Sequence, residues 1–180
     1  MKYSLVVALL VMSCVIGTTV KAGDASLSPE LQKLDVSVGR WVFHGETLNT
    51  PFGRAGKWTW KENCRWSENR VFMVCSFTND WSGTAIKTLV VDTYNQRDHS
   101  FWHYELFNDG KAGAEPFVSK MTINGNTRVE YAESMHSGEK YKTRITYVFD
   151  STSHVKVKIE ISRHGAYWVK VDEGEGIKQP

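Results

Sequence analysis

Residues 57–66 alternate strictly between two kinds of side chain. The polar positions are Lys57, Thr59, Lys61, Asn63 and Arg65. The largely apolar positions are Trp58, Trp60, Glu62, Cys64 and Trp66. Because successive side chains of a strand point to opposite faces, the pattern predicts a half-buried β-strand with an aromatic inner face.

A second strand is predicted at residues 71–78, after a turn. Cys64 and Cys75 are equidistant from the centre of that turn, and each lies on the apolar face of its strand. A four-residue loop at residues 68–71 would place the two cysteines opposite each other in a non-hydrogen-bonded pair, close enough for a disulfide. The sequence therefore predicts a hairpin closed by a Cys64–Cys75 disulfide.

From residue 40 onwards the chain reads as short strands separated by turns. The strands are predicted at residues 41–48, 57–66, 71–78, 84–94, 99–107, 117–123, 127–133, 141–149, 155–162 and 167–172. Asn124-Gly125 is the strongest turn signal, since this pair is typical of tight hairpins. The expected fold is all-β: a closed up-and-down antiparallel β-barrel of about ten strands, because closure removes the exposed edges of such a sheet.

One short helix is expected before the barrel. Ser28 is predicted as its N-cap and Pro29 as its first residue, where the missing N–H of proline costs nothing. Leu31, Leu34 and Val38 then recur at helical spacing. Gly39 ends the predicted helix.

Residues 1–22 have the features of a secretory signal peptide. Lys2 precedes an apolar segment that is too short to span a bilayer comfortably, and small or short residues at positions 20 and 22 favour cleavage after Ala22. The alternative is a lipoprotein anchored through Cys14, because residues 11–14 loosely resemble a bacterial lipobox. Either way the protein is expected to be exported, to the periplasm or beyond. An N-terminal segment at 23–38 and the barrel at 39–177 would follow.

The charge balance of the mature chain excludes one class of partner. Removing Lys2 and Lys21 from the 22 basic residues leaves 20, which equals the 20 acidic residues. Nucleic-acid binding needs a concentrated basic face, so no nucleic-acid partner is expected, and no membrane span is predicted after cleavage. Export favours a disulfide over a metal site or a thiol nucleophile for the two remaining cysteines.

Several motifs resemble known families. Gly39-Arg40-Trp41 resembles the Gly-x-Trp signature of lipocalins and their calycin relatives. Further segments resemble an uncharacterised family of bacterial exported lipocalin-like proteins, the domain of unknown function 1579 type. They are residues 29–41, 64–66 with 72–75, 91–95, 141–144, and 161–170. This resemblance covers nearly the whole mature chain and implies a ten-stranded barrel with a helix plugging one end, but no activity.

The nitrobindins, a neighbouring calycin group, bind haem through a histidine near the C-terminal strands. This chain departs from them, because only Gly45 fits their glycine pattern after Trp41, and because His154 and His164 are both predicted in turns. The resemblance therefore transfers no haem ligand, and no cofactor is expected.

Glu62 is the principal candidate for chemistry, because alternation places it on the aromatic inner face. A buried carboxylate must be paired, hydrogen-bonded or protonated, so Glu62 would be a polar anchor or an acid–base group in an apolar cavity. The alternative is a carboxylate near the barrel mouth that is solvated or pairs with an arginine such as Arg144. The tryptophans either fill the core or form the wall of a ligand cavity. The candidate ligand-binding residues are Trp58, Trp60, Glu62, Tyr131, Thr143 and Tyr147.

The histidines are expected to lie outside the barrel. His99, His103 and Glu105 share one face of their strand, whereas Trp102, Tyr104 and Leu106 on the other face form a more apolar set. Two histidines at i and i+4 on a strand are about 13 Å apart, so no metal site is expected. No nucleophile elbow, phosphate-binding loop or zinc-protease motif occurs, and no catalytic residue is assigned.

The expected function is binding of a small apolar or aromatic molecule inside the barrel. Two alternatives remain open: a solid barrel with a structural or protein-interaction role, and an enzyme that uses Glu62.

Overall fold

The computed structural model describes residues 28–81, 84–108, 116–136, 139–163, 165 and 167–180, so the predicted signal peptide and Cys14 lie outside the described residues. It contains a short helix, α1 (Pro29–Gln32), a 3-10 turn (Asp35–Ser37) and ten strands. The strands are β1 Gly39–Thr47, β2 Gly56–Trp66, β3 Phe72–Trp81, β4 Thr84–Asn95, β5 Ser100–Asn108, β6 Phe117–Asn124, β7 Thr127–His136, β8 Glu139–Phe149, β9 His154–Arg163 and β10 Val169–Gln179. Within these residues, no helix has the length and apolar character that a membrane crossing requires.

The ten strands form one closed barrel in which each strand pairs with its neighbours along the chain. All pairs are antiparallel, and β1 and β10 complete the circle through a register that runs from Arg40↔Gln179 to Thr47↔Asp172. The predicted all-β, up-and-down antiparallel barrel with one short N-terminal helix is therefore confirmed.

The β2–β3 hairpin has the predicted register. Cys64 lies directly opposite Cys75, with a Cα–Cα distance of 4.0 Å, and the two form a disulfide. Strand β3 is longer than predicted, because it continues past Thr78 to Trp81. The pairs Trp60↔Asn79 and Trp58↔Trp81 extend the ladder along the first half of β2.

The last strand differs most from its prediction, since β10 begins two residues later and ends at Gln179 instead of 172. Its second half is rich in glycine and glutamate and lacks an apolar alternation. The glycines are required by packing: a Cβ at Gly174 would lie 2.6 Å from a ring atom of Trp58, and one at Gly176 would lie 2.3 Å from a ring atom of Phe43. Large rings from β1 and β2 thus occupy the space that β10 side chains would fill.

The segment before the barrel closes one end of it. The N–H of Leu31 donates to Oγ of Ser28 at 3.2 Å, which confirms the predicted N-cap. The helix ends earlier than predicted, and the 3-10 turn replaces its last part. Leu34 is buried in the barrel, and the indole N–H of Trp41 donates to the carbonyl oxygen of Ser37 at 3.0 Å.

The apolar interior consists of two groups. The group next to the N-terminal segment contains Leu34, Cys64, Met73, Cys75, Val90, Phe101 and Met121. The second group contains Trp41, Phe43, Trp58, Trp60, Val155 and Val157. The space that remains inside the barrel touches both groups and forms the candidate site.

Candidate functional site

The barrel encloses a cavity of about 200 Å³. Its aromatic lining consists of Trp41, Phe43, Trp60, Phe77, Phe107, Tyr147 and Phe149. Its polar lining includes Glu62, Asn79, His103, Glu105, Arg128 and Glu130. An apolar space with a few converging polar groups is the usual composition of a small-molecule site.

Three strands bring a network of charged side chains to one side of this cavity. Asp92 on β4 is fully buried; its Oδ1 accepts from Nδ1 of His103 at 2.7 Å, and its Oδ2 accepts from Nη2 of Arg128 at 3.2 Å. The same Nη2 lies 2.6 Å from Oε1 of Glu130. His103 is on β5, and Arg128 and Glu130 are both on β7, so the network joins β4, β5 and β7 from inside the barrel.

Asp92 and His103 in this network are held in their charged forms. Burial alone would raise the pKa of Asp92, but the charges of Arg128 and His103 and the hydrogen bonds from both outweigh it and lower that pKa. Burial opposes the imidazolium of His103, but the nearby carboxylates of Glu130 and Asp92 raise its pKa well above 6.5. His103 is therefore an imidazolium at neutral pH, and both of its ring nitrogens carry protons.

Glu62 is in a different position. It faces the cavity from β2, and among the described residues no cationic group lies within ion-pairing distance of it. Its Oε1 lies 3.1 Å from Sγ of Cys64, but that sulfur is in the disulfide and has no proton to donate. Burial raises the pKa of Glu62 to about 7, and the charge of Arg128 opposes this rise only in part.

The aromatic wall beside Glu62 is built on β2. The rings of Trp58 and Trp60 stack with centroids 4.3 Å apart and planes inclined by 9°, and Phe43 and Phe77 flank Trp60 at 5.0 and 5.4 Å. Trp60 is 7% exposed, and its indole nitrogen has no hydrogen-bond partner. Asn79, directly opposite on β3, also lines the cavity and has a side-chain oxygen without a partner.

The structure brings three of the six predicted ligand-binding residues to the cavity: Trp60, Glu62 and Tyr147. Trp58 lies behind Trp60 and supports it. Thr143 is opposite the buried Ala132 on the inner face but does not line the cavity. Tyr131 is 46% exposed, because its neighbours in sequence, Glu130 and Ala132, occupy the inner face of β7.

Arg144 is not the partner of Glu62. It pairs with Glu160 at 2.9 Å between Nε and Oε2, and its guanidinium lies 4.4 Å from the ring of Trp168. The arginine inside the barrel is Arg128, which sequence reasoning missed. Arg128 and Glu130 sit at alternate positions of β7, the same alternation that placed Glu62 inside β2.

The predicted orientation of β5 is wrong. His103 is 8% exposed, and Glu105 lines the cavity with it, whereas Tyr104 and Leu106 are 39% and 47% exposed on the outer surface. The strand buries its more polar face because Asp92 on β4 accepts a hydrogen bond from His103 and carries the opposite charge. His154 is also misplaced: it begins β9 instead of lying in a turn, and it pairs with Asp150 and Glu175. His164 lies outside the described residues.

One group of possible metal-ligating atoms exists among the described residues, formed by Glu62, Cys64 and Cys75 within 4.8 Å of one another. Both sulfurs belong to the disulfide, so neither is a thiolate. The oxidised protein therefore offers a carboxylate alone at this position.

Comparison with known proteins gives a likeness in structure only. No protein-family model matches the sequence, and no curated protein matches it. The crystal structure of Rv2717c from M. tuberculosis superposes with a TM-score of 0.60 at 12% identity over 86% of this chain and 100% of that one. The S-type phycobiliprotein lyase CPES from Guillardia theta gives 0.54 at 14% identity over 87% of this chain and 96% of that one. The chain therefore shares its closed-barrel fold with these two structures. At these identities the likeness establishes the fold and no activity.

Proposed function

We propose that this protein binds a small apolar or aromatic molecule inside its barrel. The observation that carries the proposal is the cavity of about 200 Å³ that adjoins stacked indole rings. A barrel that served only as a solid scaffold would fill this volume with side chains, as small barrels commonly do. Trp60 and Asn79 line the cavity, and each has one buried polar atom without a hydrogen-bond partner.

The cavity volume limits the size of the molecule. An apolar protein cavity of about 150 Å³ accommodates benzene, and sites for drug-sized molecules span about 300–1,000 Å³. A cavity of about 200 Å³ therefore suits a single aromatic ring with a short chain, or an aliphatic molecule of similar size.

Tryptophan fluorescence tests this proposal. Titration with a panel of monocyclic aromatic molecules should change the emission saturably, because Trp60 lines the cavity. Trp60→Phe should remove most of the change. Trp102→Phe is the matched control, since that ring packs against Tyr104 and Lys120 outside the cavity. A panel without any saturable response in fluorescence or in calorimetry would refute ligand binding at this size.

Export is part of the proposed function. The disulfide is compatible with an oxidising compartment, where such bonds persist, and residues 1–22 carry the signal-peptide features described above. N-terminal sequencing of the protein isolated from a bacterial periplasm should find Gly23 first. A lipid-modified Cys14 would replace cleavage after Ala22 with lipoprotein processing.

An enzymatic role is the second candidate, and one observation favours it. Glu62, with a pKa near 7, and His103, oriented by Asp92, line the same cavity, so a bound molecule would meet a proton acceptor and a proton donor. Any molecule that native mass spectrometry finds in the protein should be incubated with it and analysed for a product. Conversion that Glu62→Gln abolishes without loss of binding would support catalysis, and recovery of the unchanged molecule would leave binding as the function.

A further inference from the structure

We infer that the molecule bound in the cavity carries a protonated amine that contacts Glu62. This inference rests on the ligand binding proposed above and specifies the chemical class of the ligand. It follows from the balance of charges around the cavity, from the hydrogen-bonding groups left without partners, and from the cavity's size.

The charged groups around the cavity contain more acids than bases. The acids are Glu62, Asp92, Glu105 and Glu130, and the bases are His103 and Arg128. Both bases are already engaged. Arg128 lies between Asp92 and Glu130, and His103 lies 2.7 Å from Asp92 and 3.9 Å from Glu105. An anionic ligand would thus meet carboxylates and find no free cation among the described lining residues.

Glu62 has the opposite requirement. It faces an apolar wall, and among the described residues its carboxylate has no ion pair and no hydrogen bond from a protonated donor. A ligand ammonium would supply the missing charge, and a carboxylate in an apolar site binds an ammonium more strongly than one in water. Arg128 is held away from this role by its ion pairs with Asp92 and Glu130, both made through Nη2, and its Nε has no hydrogen-bond partner.

Two further features beside Glu62 suit an ammonium. An ammonium has three N–H donors, and the unpartnered oxygen of Asn79 offers a second acceptor. The ring of Trp60 offers a π-face, which attracts cations more strongly than any other aromatic side chain. The free indole N–H of Trp60 can in addition donate to one uncharged oxygen on the ligand.

Three molecules of nearly equal shape test the inference: 2-phenylethylamine, 2-phenylethanol and phenylacetate. They share a ring and a short chain but carry a cation, a neutral hydroxyl and an anion. In calorimetric titrations at pH 8, the amine should bind at least ten times more tightly than the alcohol, and phenylacetate should bind most weakly. Equal or tighter binding of the alcohol or the acid would overturn the inference and leave the proposed function intact. If none of the three molecules binds, both the amine inference and the proposed ligand binding fail at this cavity size.

The variant Glu62→Gln keeps the shape of the side chain and removes its charge. It should weaken amine binding at least tenfold and change alcohol binding less than threefold. Glu46→Gln, on the exposed face of β1, is the matched control and should change neither. Amine binding that survives Glu62→Gln unchanged in a variant with a native circular-dichroism spectrum would place the ammonium elsewhere and overturn the inference.

Discussion

Glu62 should make the stability of the protein depend on pH, and Glu62→Gln should remove that dependence. The ordinary pKa of a glutamate is 4.5, and the folded protein raises that of Glu62 to about 7, chiefly through burial. One pKa unit corresponds to about 1.4 kcal/mol, so the rise in the pKa of Glu62 from 4.5 to about 7 corresponds to about 3 kcal/mol. This is the free energy by which an ionised Glu62 would disfavour the folded state at high pH.

The sign follows from proton linkage. Between pH 4.5 and about pH 7, the folded protein keeps a proton on Glu62 that the unfolded chain has released. The free energy of unfolding therefore falls as pH rises through this interval. Glutamine has no such proton, so the unfolding free energy of Glu62→Gln minus that of the native protein should increase by about 2–3 kcal/mol from pH 5 to pH 8.

Urea denaturation followed by far-UV circular dichroism at pH 5, 6, 7 and 8 would measure this difference, with the disulfide intact. Titration of the other carboxylates affects both proteins alike and cancels in the subtraction. Glu46→Gln should shift the unfolding free energy by the same small amount at each pH, because that side chain is exposed. A difference for Glu62→Gln that stays constant across the four pH values would refute the assignment of a buried, unpaired carboxyl.

Three further predictions concern stability. Replacing both Cys64 and Cys75 by alanine should lower the unfolding free energy by about 3 kcal/mol, which thermal melts would show as a lower melting temperature. Free thiols in the native protein, found by peptide mapping without reductant, would contradict the disulfide. Arg128→Met should cost about 3–5 kcal/mol in urea unfolding, because it leaves buried carboxylates without a cation. Arg163→Met should cost less than about 1 kcal/mol, because its ion pair with Glu139 is exposed, and equal losses would contradict this difference. Gly45→Ala should destabilise the folded protein by about 1–3 kcal/mol or more, since the added Cβ would lie 2.1 Å from an indole atom of Trp58. Gly53→Ala is the control and should be close to neutral, because its added Cβ would have its nearest contact at 3.9 Å. Similar melting temperatures for the two variants would contradict this packing.

The parts of the fold predicted correctly are those that a single strand or turn specifies. Alternation in β2 placed Trp60 and Glu62 on the inner face, and the matched distances of Cys64 and Cys75 from the turn gave the register and the disulfide. Asn124-Gly125 marked the position of the β6–β7 hairpin, and Gly125 supplies the positive φ of 57° at the first residue of its two-residue loop. Local patterns of this kind need no information from the rest of the chain.

The parts predicted wrongly depend on contacts between distant residues. β5 was oriented with its apolar side inward, because nothing within β5 shows that the carboxylate of Asp92 on β4 neutralises His103. Tyr131, one of the candidate ligand-binding residues, lies on the outer surface, because its charged neighbour Glu130 is the inward residue. A polar side chain can be buried when a partner on another strand compensates its charge, and a hydrophobic pattern cannot show that partner.

The pairing of β1 with β10 has a consequence for how the protein folds. Arg40 and Gln179 are neighbours in the barrel although they lie at opposite ends of the strand order, so closure is the contact of highest sequence separation. Contacts of this kind slow folding, because a long loop must be ordered before they form. While the chain is being synthesised, β1 lacks β10 and keeps an open edge that can pair with other chains. The barrel therefore closes only after β10 is available, and a chain truncated before Val169 should aggregate instead of folding.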